Sequence, residues 1–165
     1  MSSMVFGCSS SPKVVGEGSS GSPAAGTGAD KDQRFGAETG GAFTGDPLSD
    51  PNSPLSQRVV YFEFDSSEVS AMDRDIIAAH ANYLANNPNV SIILEGHADE
   101  RGSREYNIAL GERRARAIQQ LMLLQSVGHQ QMQVISFGEE RPVAMGHDEE
   151  AWRLNRRVEI LYSGQ

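Results

Sequence analysis

The chain has 165 residues, a formal net charge of −8 and a single cysteine, Cys8. That length bounds it to one ordinary domain. The acidic balance excludes a nucleic-acid partner, which calls for a basic face; one cysteine excludes an intramolecular disulfide; and no apolar run approaches the roughly 18 residues of a membrane-spanning helix.

Composition is uneven along the chain. Residues 1–55 hold 10 of the 17 glycines and 5 of the 7 prolines, with only scattered large apolar residues such as Phe35, Phe43 and Leu48. Such a stretch buries too little apolar surface to offset the entropy of ordering it. The expectation is a disordered Gly/Ser/Pro-rich tether over 1–55 and a folded domain over 56–165. Near the start, Val5-Phe6-Gly7-Cys8-Ser9-Ser10-Ser11 is similar to the end of a lipoprotein signal, in which a cysteine after small residues becomes the lipidated N-terminus. Phe6 departs from the usual small residue, and Met1 to Gly7 lacks the basic start and long apolar stretch of a complete signal peptide. An altered or mis-started N-terminus is therefore expected. The alternative is a chance cysteine in a polar tail.

In the domain, Val59 to Phe64 is β-branched and aromatic and reads as a buried strand, broken by Asp65-Ser66-Ser67. Met72, Ile76, Ile77, Ala79, His80, Tyr83 and Leu84 recur at three and four, predicting a helix over 71–86. Asn86-Asn87-Pro88-Asn89 stops it. Val90 to Glu95 is a second strand, followed by a polar loop from Gly96 to Gly102. Ser103 is a candidate N-cap for a long helix to about Leu124, with Gly128 as its stop signal. Met132 to Phe137 is a third strand, 149–154 a turn of helix after a loop, and Arg157 to Tyr162 an alternating closing strand. The order β-α-β-α-β-β predicts an α+β fold, a two-layer sandwich with helices on one face of a mixed sheet.

On the long helix, Tyr106, Leu110, Ala117, Leu121 and Leu124 form an apolar stripe, and Arg114 sits on it. A guanidinium at the edge of a core needs partners, because burying an unpaired charge is expensive. Its side chain points back toward the helix start, where the Asp99 loop enters. Asp99 and Arg114 would then face one pocket, suited to a zwitterion: Asp99 receives an ammonium and Arg114 grips a carboxylate bidentately. The alternative is that the two simply pair with each other as a structural salt bridge. All 11 basic residues of the domain are arginines, in keeping either with fixed pairings or with compositional drift.

The motifs Gly96-His97-Ala98-Asp99-Glu100-Arg101-Gly102, Glu105-Tyr106-Asn107, Leu110-Gly111-Glu112-Arg113-Arg114-Ala115, Gly146-His147-Asp148-Glu149 and Asn155-Arg156-Arg157 are long and ordered. Over about residues 58–163 the chain resembles the OmpA-like C-terminal domain family, and within it the peptidoglycan-associated lipoproteins. The resemblance implies the same sandwich fold and non-covalent binding of the peptidoglycan stem peptide through the free end of meso-diaminopimelate. It places the acidic anchor on Asp99 and the arginine on Arg114. Supporting contacts fall on Phe64, Asp65, Asn107 and Leu110, and more weakly on Arg156. It implies lipidation at Cys8, an outer-membrane location on the periplasmic face, and a part in the Tol-Pal system with a TolB-like propeller and other Tol proteins as partners, in envelope integrity and cell division. It implies no enzyme activity, no cofactor and no metal.

A metal hydrolase built from His97, Asp99, Glu100 and His147 is the rival from another class, but the spacing matches no tight metal motif and there is no H-E-x-x-H helix. Cys8 lies in the tail, away from any nucleophilic site. Among relatives, a porin would need a barrel of alternating strands before the domain, and a flagellar-stator protein a membrane helix. A module serving only protein partners is the remaining reading.

Overall fold

The computed structural model describes residues 47–163. Their strands and α-helices alternate as β1 (Val59–Tyr61), α1 (Ala71–Asn86), β2 (Ile92–His97), α2 (Arg104–Leu123), β3 (Met132–Gly138), α3 (Glu149–Asn155) and β4 (Arg157–Tyr162). The sheet order is β1-β4-β2-β3. β3 runs parallel to β2, while β4 is inserted antiparallel between β1 and β2. The fold is α+β, as the sequence pattern predicts.

Each α-helix starts where a side-chain oxygen can accept an otherwise orphaned N–H: Ser70 takes that of Asp73, Ser103 that of Tyr106, and Asp148 that of Ala151. The alternation of β4 sends Val158 and Ile160 into the core beside Val60 and Leu94. Ile77 and Leu84 of α1 and Ala115, Ile118 and Met122 of α2 belong to the same cluster. Burying side chains of this size stabilises the fold by about 1.5–3 kcal/mol each. His80 is a core residue of α1: Nε2 meets the Gln57 carbonyl at 2.9 Å, so it donates, and Nδ1 accepts from the Tyr162 hydroxyl at 2.7 Å.

Three sequence expectations are corrected. The buried face of α2 is Asn107, Leu110, Gly111, Arg114, Ala115, Ile118, Gln119 and Met122, leaving Tyr106 and Leu124 exposed. The helix is turned so that Gly111 meets the sheet. A Cβ on Gly96 would fall 2.0 Å from the Gly111 carbonyl oxygen, so this contact exists only as backbone on backbone. The first strand ends at Tyr61 rather than Phe64: the Glu63 and Ser66 carbonyls are turned to Arg114 instead of to a neighbouring strand. The folded part also starts before residue 56. Short 3-10 turns at Pro47–Ser49 and Pro54–Ser56 bury Leu48 and Leu55 in the core cluster. The rest of the expected tether, with Cys8, lies outside the described residues. Among the described residues, no helix is long and apolar enough to cross a membrane.

Candidate functional site

β2 carries an irregularity between Gly96 and His97, and the Ala98 N–H donates to the Gly138 carbonyl at 2.9 Å. These fix the exit of the strand and with it Asp99, which is 4% exposed. Gly102, with φ of +116°, turns the loop back into the Ser103 cap of α2. One turn beyond the Gly96–Gly111 contact, Arg114 is wholly buried.

Arg114 and Asp99 do not pair directly. Arg114 Nε donates to the Ser66 carbonyl at 2.8 Å, Nη1 to that of His97 at 2.8 Å and Nη2 to that of Glu63 at 3.1 Å. The side chain thus clamps the β1–α1 loop to the end of β2. A guanidinium has five N–H donors, so one on each terminal nitrogen remains. Burial holds its pKa down to about 10, which leaves it charged at neutral pH. Asp99 is held on the other side by Arg101 and Arg156. Burial raises its carboxyl, but hydrogen bonds from the Arg101 side chain and backbone and from Arg156 outweigh that and hold it below its ordinary range.

Asp99, Arg114, Phe64, Asp65 and Leu110 line one cavity of about 200 Å³, together with Arg101, Gly102 and Tyr106. Asp65 adopts φ of +53°, a conformation that short polar residues tolerate best, and accepts from the Tyr106 hydroxyl. Phe64 is exposed and stacks on Arg101. Of the residues expected to contact ligand, five therefore share the cavity. Asn107 and Arg156 do not line it. Asn107 is buried and donates to Glu139, and Arg156 stands behind Asp99, bonded also to the Phe62 carbonyl and Glu149. Arg101 and Tyr106 also line the cavity, and neither is among the ligand contacts expected from the sequence. Their signal was position, next to Asp99 and in the first turn of α2. A wider groove of about 900 Å³ between the β1–α1 loop and α3 is bordered by Val69, Met72 and Leu154. None of its charged lining residues is buried, so the chemistry concentrates in the smaller cavity.

The residues of the metal rival separate into two groups. Glu100 accepts from Trp152 and meets His147 at 2.8 Å, whereas the His97 ring stacks on Phe137 and lies 3.9 Å from Glu159. Among the described residues, no group of three His, Cys, Asp or Glu side chains is placed to hold a metal ion.

A two-layer sandwich with an opposed, buried carboxylate and guanidinium at the β2–α2 junction defines a class, and the OmpA family matches residues 61–156. The peptidoglycan-associated lipoprotein of Pseudomonas aeruginosa is 44% identical over 158 residues, covering 95% of this chain and 89% of that protein. That of Pseudomonas putida is 47% identical over 149 residues, covering 89% and 88%. The crystal structure of the peptidoglycan-associated lipoprotein from Burkholderia pseudomallei superposes with a TM-score of 0.70 at 49% identity, over 71% of this chain and 99% of that one. The C-terminal domain of Helicobacter pylori MotB shares the fold alone, with a TM-score of 0.59 at 23% identity over 65% and 84% of the two chains. The chain belongs to the OmpA family, among its peptidoglycan-associated lipoproteins.

Proposed function

We propose that this domain binds peptidoglycan without catalysis, receiving the free end of meso-diaminopimelate with its ammonium toward Asp99 and its carboxylate toward Arg114. The observation that carries this reading is the state of Arg114. Its bonds among the described residues all go to backbone carbonyls, so its hydrogen-bonding is largely met while its charge has no carboxylate in contact. A buried charge left in that state attracts an anion. A cavity of about 200 Å³ suits the charged head of one residue rather than a whole peptide.

The relatives bear the name peptidoglycan-associated lipoprotein. In keeping with it, Cys8 carries acyl chains that hold the protein at the periplasmic face of the outer membrane, linking membrane to wall. On the same resemblance, a TolB-like propeller and other Tol proteins are its partners, in envelope integrity and cell division. Replacing Cys8 by Ser, behind a complete lipoprotein signal, then releases the protein into the periplasm, because the acyl chains supply the membrane affinity.

The pocket is tested by titrating a diaminopimelate-bearing stem fragment into the protein. Asp99→Asn keeps the shape and removes the charge, and should cost about 2–5 kcal/mol, or roughly 30- to several-thousand-fold in affinity. Equal binding by wild type and Asp99→Asn, at matched melting temperature, would refute the reading.

A further inference from the structure

In this structure Asp99 has no acceptor position left for a ligand. An ionised carboxylate offers about four lone-pair sites. Oδ1 takes the Arg101 backbone N–H at 3.1 Å and Arg101 Nε at 3.3 Å; Oδ2 takes Arg101 Nη2 at 2.7 Å and Arg156 Nη1 at 3.2 Å. An ammonium that reaches Asp99 must displace one of these donors.

The donors differ in how they are held. The backbone N–H is part of the loop. The Arg156 side chain is 3% exposed, and its other nitrogens bond the Phe62 carbonyl at 3.0 Å and Glu149 at 2.6 Å. The Arg101 side chain is 30% exposed. Besides Asp99 it is held by two aromatic faces, Phe64 at 4.0 Å and Trp152 at 4.1 Å, and by Glu149 at 3.5 Å. Those contacts also offer a place to go, since Glu149 is exposed and accepts a guanidinium without burial.

We propose that Arg101 is a built-in cation occupying the ammonium position of the site, and that the ligand binds by swinging it off Asp99 toward Glu149. This rests on the zwitterion reading and extends it. Arg101 sets specificity by competition: a ligand group wins Asp99 only if it replaces both the charge and the hydrogen bonds that Arg101 withdraws. The free protein is plugged for at least about half of the time, and its apparent affinity is reduced by the fraction that is not.

Trp152 is the only tryptophan of the chain and reports directly on Arg101, over which it stacks. The experiment follows Trp152 emission and calorimetric affinity on the full chain with two probes: a diaminopimelate-bearing stem fragment, and the same fragment acetylated on its free amine. On wild type, the free-amine fragment should shift Trp152 emission and the acetylated one should not. In Arg101→Ala the emission should no longer respond to ligand, and affinity for the free-amine fragment should rise about two- to fivefold, as loss of a partly exposed competing ion pair allows. Arg101→Lys, which keeps the charge without the fork, should fall between. Weaker or unchanged binding by Arg101→Ala at matched melting temperature, or Trp152 emission that stays constant as wild type saturates, would overturn the plug and leave the zwitterion reading standing. Wild type that binds neither fragment would overturn both.

Discussion

Two arginines lie at nearly the same depth in this domain, Arg114 in the middle of α2 and Arg156 at the α3–β4 junction, and they face opposite surroundings. Arg156 touches two carboxylates, Asp99 and Glu149, so its charge is balanced within the fold. Among the described residues, Arg114 bonds three backbone carbonyls drawn from two segments and no carboxylate. Arg114 keeps two N–H groups unused and feels Asp99 and Asp65 only through space, whereas Arg156 bonds its carboxylates directly. Burial alone does not distinguish the two arginines; direct contact with a carboxylate does.

The comparison can be broken most decisively at Arg114. Arg114→Ala strands the Ser66 and His97 carbonyls, leaves that of Glu63 only the Ser66 N–H, and should lower the unfolding free energy by about 3–5 kcal/mol, read by urea denaturation. A loss under about 1 kcal/mol would mean that the clamp is not what holds the β1–α1 loop.

The next effect is a pH dependence at His97, whose carbonyl serves Arg114 while its ring is buried with no hydrogen-bond partner among the described residues. Burial first, then the charge of Arg157 with Arg141 adding to it, holds the ring down to about 4, and Glu159 opposes only in part. The unfolded chain takes up a proton near pH 6.5, the folded chain only near pH 4. The stabilisation from neutral His97 is therefore complete above about pH 6.5 and is lost as pH falls toward 4, by up to about 3 kcal/mol. His80 is also held low by burial, so the contribution of His97 is the difference between wild type and His97→Phe. Parallel stability profiles for the two proteins would contradict the assignment.

Arg156→Gln removes a balanced charge and one carbonyl partner, and should cost less than Arg114→Ala, about 1–3 kcal/mol in stability. It should also move the Asp99 carboxyl, followed by NMR titration, up toward its ordinary range, because one of the donors that lower it is gone. The smallest effect is expected at Arg116, which pairs with Glu112 on the exposed face of α2. Arg116→Ala should change stability by no more than about 0.5 kcal/mol. A larger loss there would blur the distinction between buried and exposed arginines.

Much of this was legible from local pattern. Helix α1 and strand β4 have the bounds that the sequence predicts, because helical apolar spacing, an Asn-Asn-Pro stop and alternation are local signals. The face of α2 was not legible: it depends on Gly111 meeting Gly96, a contact between distant segments that no helical period encodes. Arg114 stood out as a charge on an apolar stripe and Asp99 as the acid of the polar loop that enters at the helix start, and the structure lines one cavity with both. What each of them touches did not stand out. Arg114 bonds carbonyls, which every residue has, and Arg101 reaches Asp99 between two aromatic rings that the fold brings from the β1–α1 loop and from α3.

The central claim, that Arg114 receives a ligand carboxylate, is tested most directly by changing the ligand instead of the protein. Affinities of wild type and Arg114→Lys are measured for a diaminopimelate-bearing stem fragment and for the same fragment amidated at its free carboxylate. Because both ligands are titrated into the same protein, any stability difference between the variants cancels. Amidation should weaken wild type by about 2 kcal/mol or more, roughly 30-fold, and weaken Arg114→Lys, which lacks the planar fork, distinctly less. The same loss in both proteins, or no loss in wild type, would contradict the account.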